Sequence, residues 1–112
     1  MKGFIYATTK FEAFHKYVDA PEQVNFLRTL HRHLFGVKVW IEVFHNDRDI
    51  EFLIFKQEIN DLINDLVSED KVVGSCEMVS DYLYHQIRIK YPNREIRIEV
   101  NEDDENGSYR EY

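Results

Sequence analysis

The chain has 112 residues, 44% hydrophobic and 14% aromatic, a length that fits a single domain over residues 1–112 and excludes a multidomain machine. Its formal charge is −7 and no stretch is densely basic, which argues against a nucleic-acid partner, since phosphate binding needs clustered cations. Cys76 alone cannot form an internal disulfide, and neither a signal-peptide pattern nor a run of about 18 apolar residues is present, so the expectation is a soluble, cytoplasmic protein with no membrane role.

The first clear period is an alternation over Lys10–Tyr17, with Phe11, Ala13, His15 and Tyr17 on one side, which predicts a strand. Residues 18 to 30 contain Pro21 and mixed polar positions and read as a loop with a short helical turn over Gln23–Leu30. Alternation returns from Leu34 to His45. Phe35, Val37, Val39, Ile41 and Val43 share one face and Lys38, Trp40, Glu42 and Phe44 the other, and the β-branched content predicts a strand. Asn46–Asp49 reads as a turn. Phe55, Ile59, Leu62, Ile63 and Leu66 then recur at spacings of three and four, an amphipathic helix.

A second helix is predicted after Gly74, with Ser75 as N-cap, Glu77 in its first turn and Val79, Tyr82, Leu83 and Ile87 as its apolar stripe. Pro92-Asn93 ends it. Arg94–Glu102 alternates again around Ile96, Ile98 and Val100, Asn101–Ser108 reads as an acidic turn, and Tyr109–Tyr112 as a short edge strand. The order strand, strand, helix, helix, strand, strand points to an α+β domain, an antiparallel sheet with two helices on one face. Its edges and its uncovered face, which carries Trp40 and Phe44, predict a homo-oligomer.

His31-Arg32-His33 is the most informative local feature. Side chains at i and i+2 of an extended chain point to one face, so these imidazoles can converge on an ion, with His15 of the preceding strand as a third. The plain alternative is three structural histidines. Continuing the alternation past Val100 sets Glu102 at the rim of an apolar face, either as an acceptor for two parallel N–H groups of an amidine edge or as the start of a solvated acidic turn. Cys76 is either a thiol activated by the second helix's N-terminus or a buried, inert one.

Five segments carry a family resemblance: Phe11-Glu12-Ala13-Phe14-His15, His31-Arg32-His33-Leu34-Phe35, Glu51-Phe52-Leu53-Ile54-Phe55-Lys56, Gly74-Ser75-Cys76-Glu77-Met78, and Glu102-Asp103 with Tyr109 beyond it. In order and spacing they resemble F-x-A-x-H, H-G-H-aromatic, D-F-x-x-L-K, P-T-x-E-N and E-T of the 6-pyruvoyl-tetrahydropterin synthase and 6-carboxy-tetrahydropterin synthase family. The resemblance implies a T-fold, a four-stranded antiparallel sheet with two helices on one face that oligomerises into a barrel, with sites at subunit interfaces. It also implies a zinc cofactor on His15, His31 and His33, and a small pterin- or purine-like ligand, phosphorylated forms included, anchored by Glu102 with help from Ser75.

An active member would be a zinc-dependent carbon–oxygen lyase. Three positions depart from the family. The catalytic cysteine that stands four residues before the first histidine of H-G-H is Leu27 here, the Asp-His pair after the first helix is missing from the Leu66–Gly74 connection, and the glycine of H-G-H is Arg32. Leucine cannot act as a general base, so the usual elimination needs another proton carrier, for which Cys76, Asp70 and Glu69 are the candidates. Arg32 is the candidate contact for a phosphate or carboxylate of the ligand. The alternative function is a non-catalytic protein that sequesters or senses a small nucleotide or base.

Overall fold

Apolar residues repeating every second position need a covered sheet face, and those repeating every three to four need a helix to cover it; the chain supplies both. The computed structural model describes residues 1–112 as β1 (Gly3–His15), a 3-10 segment (Glu22–Arg28), β2 (His31–Val43), α1 (Phe52–Val67), α2 (Cys76–Lys90), β3 (Ile96–Glu102) and β4 (Asn106–Glu111). The four strands form one antiparallel sheet in the order β1-β2-β3-β4. The α+β class and the two-helix cover agree with the sequence reading.

Phe35, Val37, Val39 and Ile41 of β2 join Ile96, Ile98 and Val100 of β3 beneath Phe55, Ile59 and Ile63 of α1 and Val79, Leu83 and Ile87 of α2. Burying side chains of this size contributes about 1.5–3 kcal/mol each, which makes this cluster the main stabilising feature of the fold. The opposite face stays open. Tyr6 and Trp40 lie side by side there with Lys38 over both rings, at 4.3 and 4.6 Å, and Tyr109 meets Trp40 edge-on at 5.8 Å.

Ends and lengths differ from the sequence reading where pairing outweighs local pattern. β1 starts at Gly3 and stops at His15 instead of running from Lys10 to Tyr17, because it follows β2 through every residue from Gly3 opposite Val43 to His15 opposite His31. Ala7, Thr8 and Thr9 blur the alternation that would have revealed its first half. Beyond His15 the Tyr17 amide turns to the Leu27 carbonyl, at 2.7 Å, and leaves the sheet. β2 correspondingly begins at His31 and not Leu34.

The acidic turn shrinks to Asp103–Glu105, between Glu102 and its partner Asn106. Asp103 and Asp104 hold left-handed φ angles of 57° and 59°, a conformation Asp tolerates in tight hairpins.

Local caps then fix where the helices start. Glu51 accepts the Leu53 and Ile54 amides at the head of α1, and Ser75 accepts the Met78 amide at 3.2 Å, as the N-cap reading expects. Between the helices, Lys71–Val73 runs along the outer edge of β1, bonding to Phe14 through its amide and its carbonyl. That docking covers the end of an otherwise open edge and delivers Gly74 to His15. No helix is long and apolar enough to cross a membrane.

Candidate metal centre

The strand period puts His31 and His33 on the covered face of β2, and the β1–β2 register sets His15 directly opposite His31. One ring nitrogen from each of the three lies within 4.8 Å of the others. The rings meet edge to face, with centroids 4.6 to 5.0 Å apart, over the edge of the buried Phe35 ring.

The hydrogen bonds decide which nitrogens face inward. His15 Nδ1 donates to the Gly74 carbonyl at 3.2 Å, His31 Nδ1 to the Thr29 carbonyl at 2.8 Å, and His33 Nδ1 to the Asp103 carboxylate at 2.7 Å. Carbonyl and carboxylate oxygens only accept, so every Nδ1 carries a proton, and in the neutral ring, the form that ligates a metal, every Nε2 presents a lone pair. The Nε2 atoms of His31 and His33 are buried without a hydrogen-bond partner. Left bare, each such nitrogen costs about 1–3 kcal/mol. A metal ion that accepts all three lone pairs removes that cost, so the donor set fits a three-imidazole metal site whose outer acceptors hold each ring in its ligating tautomer.

Asp103 is a member of this constellation that the sequence reading missed. Its second carboxylate oxygen accepts the Leu34 amide at 2.8 Å, and the His33 ring together with that amide holds its carboxyl below the usual carboxylate range. The available signal was its place directly after Glu102, in a hairpin turn that had to fold back over the start of β2.

Glu102 also arrives at the centre, facing the covered side from the last position of β3. Its Oε1 lies 3.3 Å from His15 Nε2 and its Oε2 3.5 Å from His33 Nε2. Of its two sequence readings, the solvated turn is therefore set aside. Beside the histidines opens a cavity of about 580 Å³, lined among others by His15, His31, Leu27, Ser75, Cys76 and Glu102. That volume suits a drug-sized or single-ring-system ligand. Ser75 reaches this cavity while its oxygen caps α2, which leaves its O–H free to donate.

Arg32 is not brought to the centre. The period of two that unites His31 and His33 turns the residue between them to the open face, where Arg32 Nε pairs with Glu12 at 2.8 Å. The cation that does line the cavity is Lys16.

Cys76 takes the inert alternative. Burial above all, and then the Glu102 charge, push its thiol up to about 12, and its Sγ donates towards Glu102 Oε1 at 3.8 Å. Iodoacetamide at pH 8 is expected to leave Cys76 unmodified in the folded chain and to label it fully in urea; rapid labelling of the native protein, detected by mass spectrometry, would contradict a protonated, buried thiol. Asp70 is occupied in the turn after α1, accepting Ser68 Oγ and the Val72 amide, and Glu69 is exposed outside the cavity lining. None of the three proton-carrier candidates is thus poised for that work.

No protein-family model matches the chain, and no curated protein matches it significantly.

Proposed function

We propose that this chain is a divergent tetrahydropterin-synthase-like protein that binds zinc through His15, His31 and His33 and a pterin- or purine-like ring in the adjoining cavity, without the family's lyase activity. The observation that carries this reading is the convergence of three Nε2 lone pairs, each imidazole held in that tautomer by its own acceptor. Zinc favours such imidazole sets and, once bound, supplies a Lewis acid for an oxygen of the ligand.

The chain's own residues provide the rest. Glu102 accepts N–H groups of the ring edge, Ser75 donates its hydroxyl, and Lys16 attracts an anionic substituent such as a phosphate. Leu27 and the protonated Cys76 give the cavity an apolar and a neutral wall where a thiolate base would be needed, which favours binding over elimination. The open sheet face and the free edge of β4 support assembly of copies into a barrel of the T-fold kind.

Metal analysis of the purified chain is expected to find about one zinc per subunit, in keeping with a single three-imidazole site. Incubation with dihydroneopterin triphosphate, with and without added zinc, is expected to leave the compound bound and chemically unchanged. Absence of zinc after reconstitution would remove the metal site, turnover would restore the lyase, and failure to bind any pterin or purine would remove the ring pocket.

A further inference from the structure

A three-histidine site normally leaves its fourth position to water or substrate. Here a carboxylate already stands beside it. Tetrahedral zinc with bonds of about 2.0–2.2 Å to nitrogen and oxygen separates neighbouring donor atoms by about 3.3–3.5 Å. Oε1 of Glu102 lies 3.3 Å from His15 Nε2 and Oε2 3.5 Å from His33 Nε2, so each oxygen stands at about one such edge length from one of the nitrogens.

In the neutral, Nδ1-protonated rings these contacts set Nε2 lone pairs against carboxylate oxygens. A cation between them turns two unfavourable approaches into two bonds. The Glu102 side chain is about a quarter exposed and is steered from behind by the Cys76 thiol, which donates to Oε1. It touches the His15 and His33 nitrogens and not that of His31, so closing the polyhedron requires one carboxylate oxygen to move towards all three nitrogens.

We propose that in the ligand-free protein Glu102 is the fourth protein ligand of the metal, giving a closed three-histidine, one-carboxylate centre. This rests on the metal site of the proposed function and adds an exchange of partners to it. The carboxylate that anchors the ring must leave the metal to do so, and ring binding therefore opens a coordination position at the moment the ligand arrives. By linkage, a ring ligand that takes Glu102 weakens the hold on the metal by the same factor that metal weakens ring binding. Cys76 is then the positioning residue that keeps the carboxylate aimed, since its thiol bonds the oxygen nearest His15.

The test uses zinc and cobalt alone, with no organic ligand. Chelator competition is expected to give Glu102→Gln at least about 100-fold weaker zinc affinity than wild type, beyond the range an outer-shell partner supplies. Glu102→Asp, which keeps the charge but shortens the reach, is expected to lose most of that affinity too. Cobalt-loaded wild type is expected to keep its visible spectrum when azide is added, while cobalt-loaded Glu102→Gln changes as azide enters the vacated position.

Unchanged zinc affinity in Glu102→Gln, full retention in Glu102→Asp, or an azide response in wild type equal to that of the variant would each overturn the fourth-ligand role while leaving the histidine site standing. A wild type that binds neither metal, or binds both as well after His31→Ala, would overturn the proposed function and this inference together. Circular dichroism of the metal-free variants separates a lost ligand from a lost fold.

Discussion

Saturating zinc is expected to raise the melting temperature of the wild-type chain by roughly 15 °C, and His31→Ala and His33→Ala are each expected to abolish the rise. Free zinc at a thousand times its dissociation constant stabilises the folded state by about 4 kcal/mol, because the unfolded chain offers no assembled site. For a domain of this length each kcal/mol is worth about 4 °C. In the metal-free protein His31→Ala is expected to cost less than about 1 kcal/mol, since the lost Nδ1 bond to the Thr29 carbonyl is offset by removal of a buried Nε2 that has no partner there. Differential scanning fluorimetry with and without zinc reads both numbers. A wild type indifferent to zinc, or a His31→Ala variant stabilised by zinc as strongly as wild type, would remove the metal centre.

Phe35→Ala is expected to carry the largest cost of any substitution near the site, about 3–5 kcal/mol, and to weaken metal binding as a consequence. Phe35 is fully buried, stacks on Phe11 at 5.2 Å, meets the His15 and His33 rings edge-on and pairs across the sheet with Glu102. Its removal therefore empties a core position and withdraws the floor beneath two ligands and the strand that aims a third group. Urea unfolding with an unchanged m-value checks the stability term, and zinc titration of the folded fraction checks the second. A loss below about 1 kcal/mol would mean that the histidines hold one another without the core beneath them.

Reading periodicity was enough to find both helices, β2 and the aliphatic face they cover, because Val37, Val39 and Ile41, Phe55, Ile59 and Ile63, and Val79, Leu83 and Ile87 each state locally which side must be dry. The Ser75 cap was legible for the same reason, being a matter of neighbours three residues apart. The three histidines were legible as a set because His31 and His33 share a face by parity and His15 ends the neighbouring strand. The same parity sends Arg32 to the opposite face, where it pairs with Glu12, so its charge does not face the cavity.

Register and loop path lay beyond any local pattern. The meeting of Asp103 with His33 joins residues 70 positions apart, and the Gly74 carbonyl reaches His15 across 59. Those meetings depend on where a hairpin folds back and where Lys71–Val73 docks along β1, both settled by hydrogen bonds between distant backbone segments. So the identity of the candidate ligands was written in the order of amino acids. Which nitrogen of each ring turns inward, whether Cys76 ionises and how near Glu102 comes to the lone pairs were decided only when the strands aligned, because tautomer, thiol acidity and donor distance answer to atoms that the chain brings together by folding.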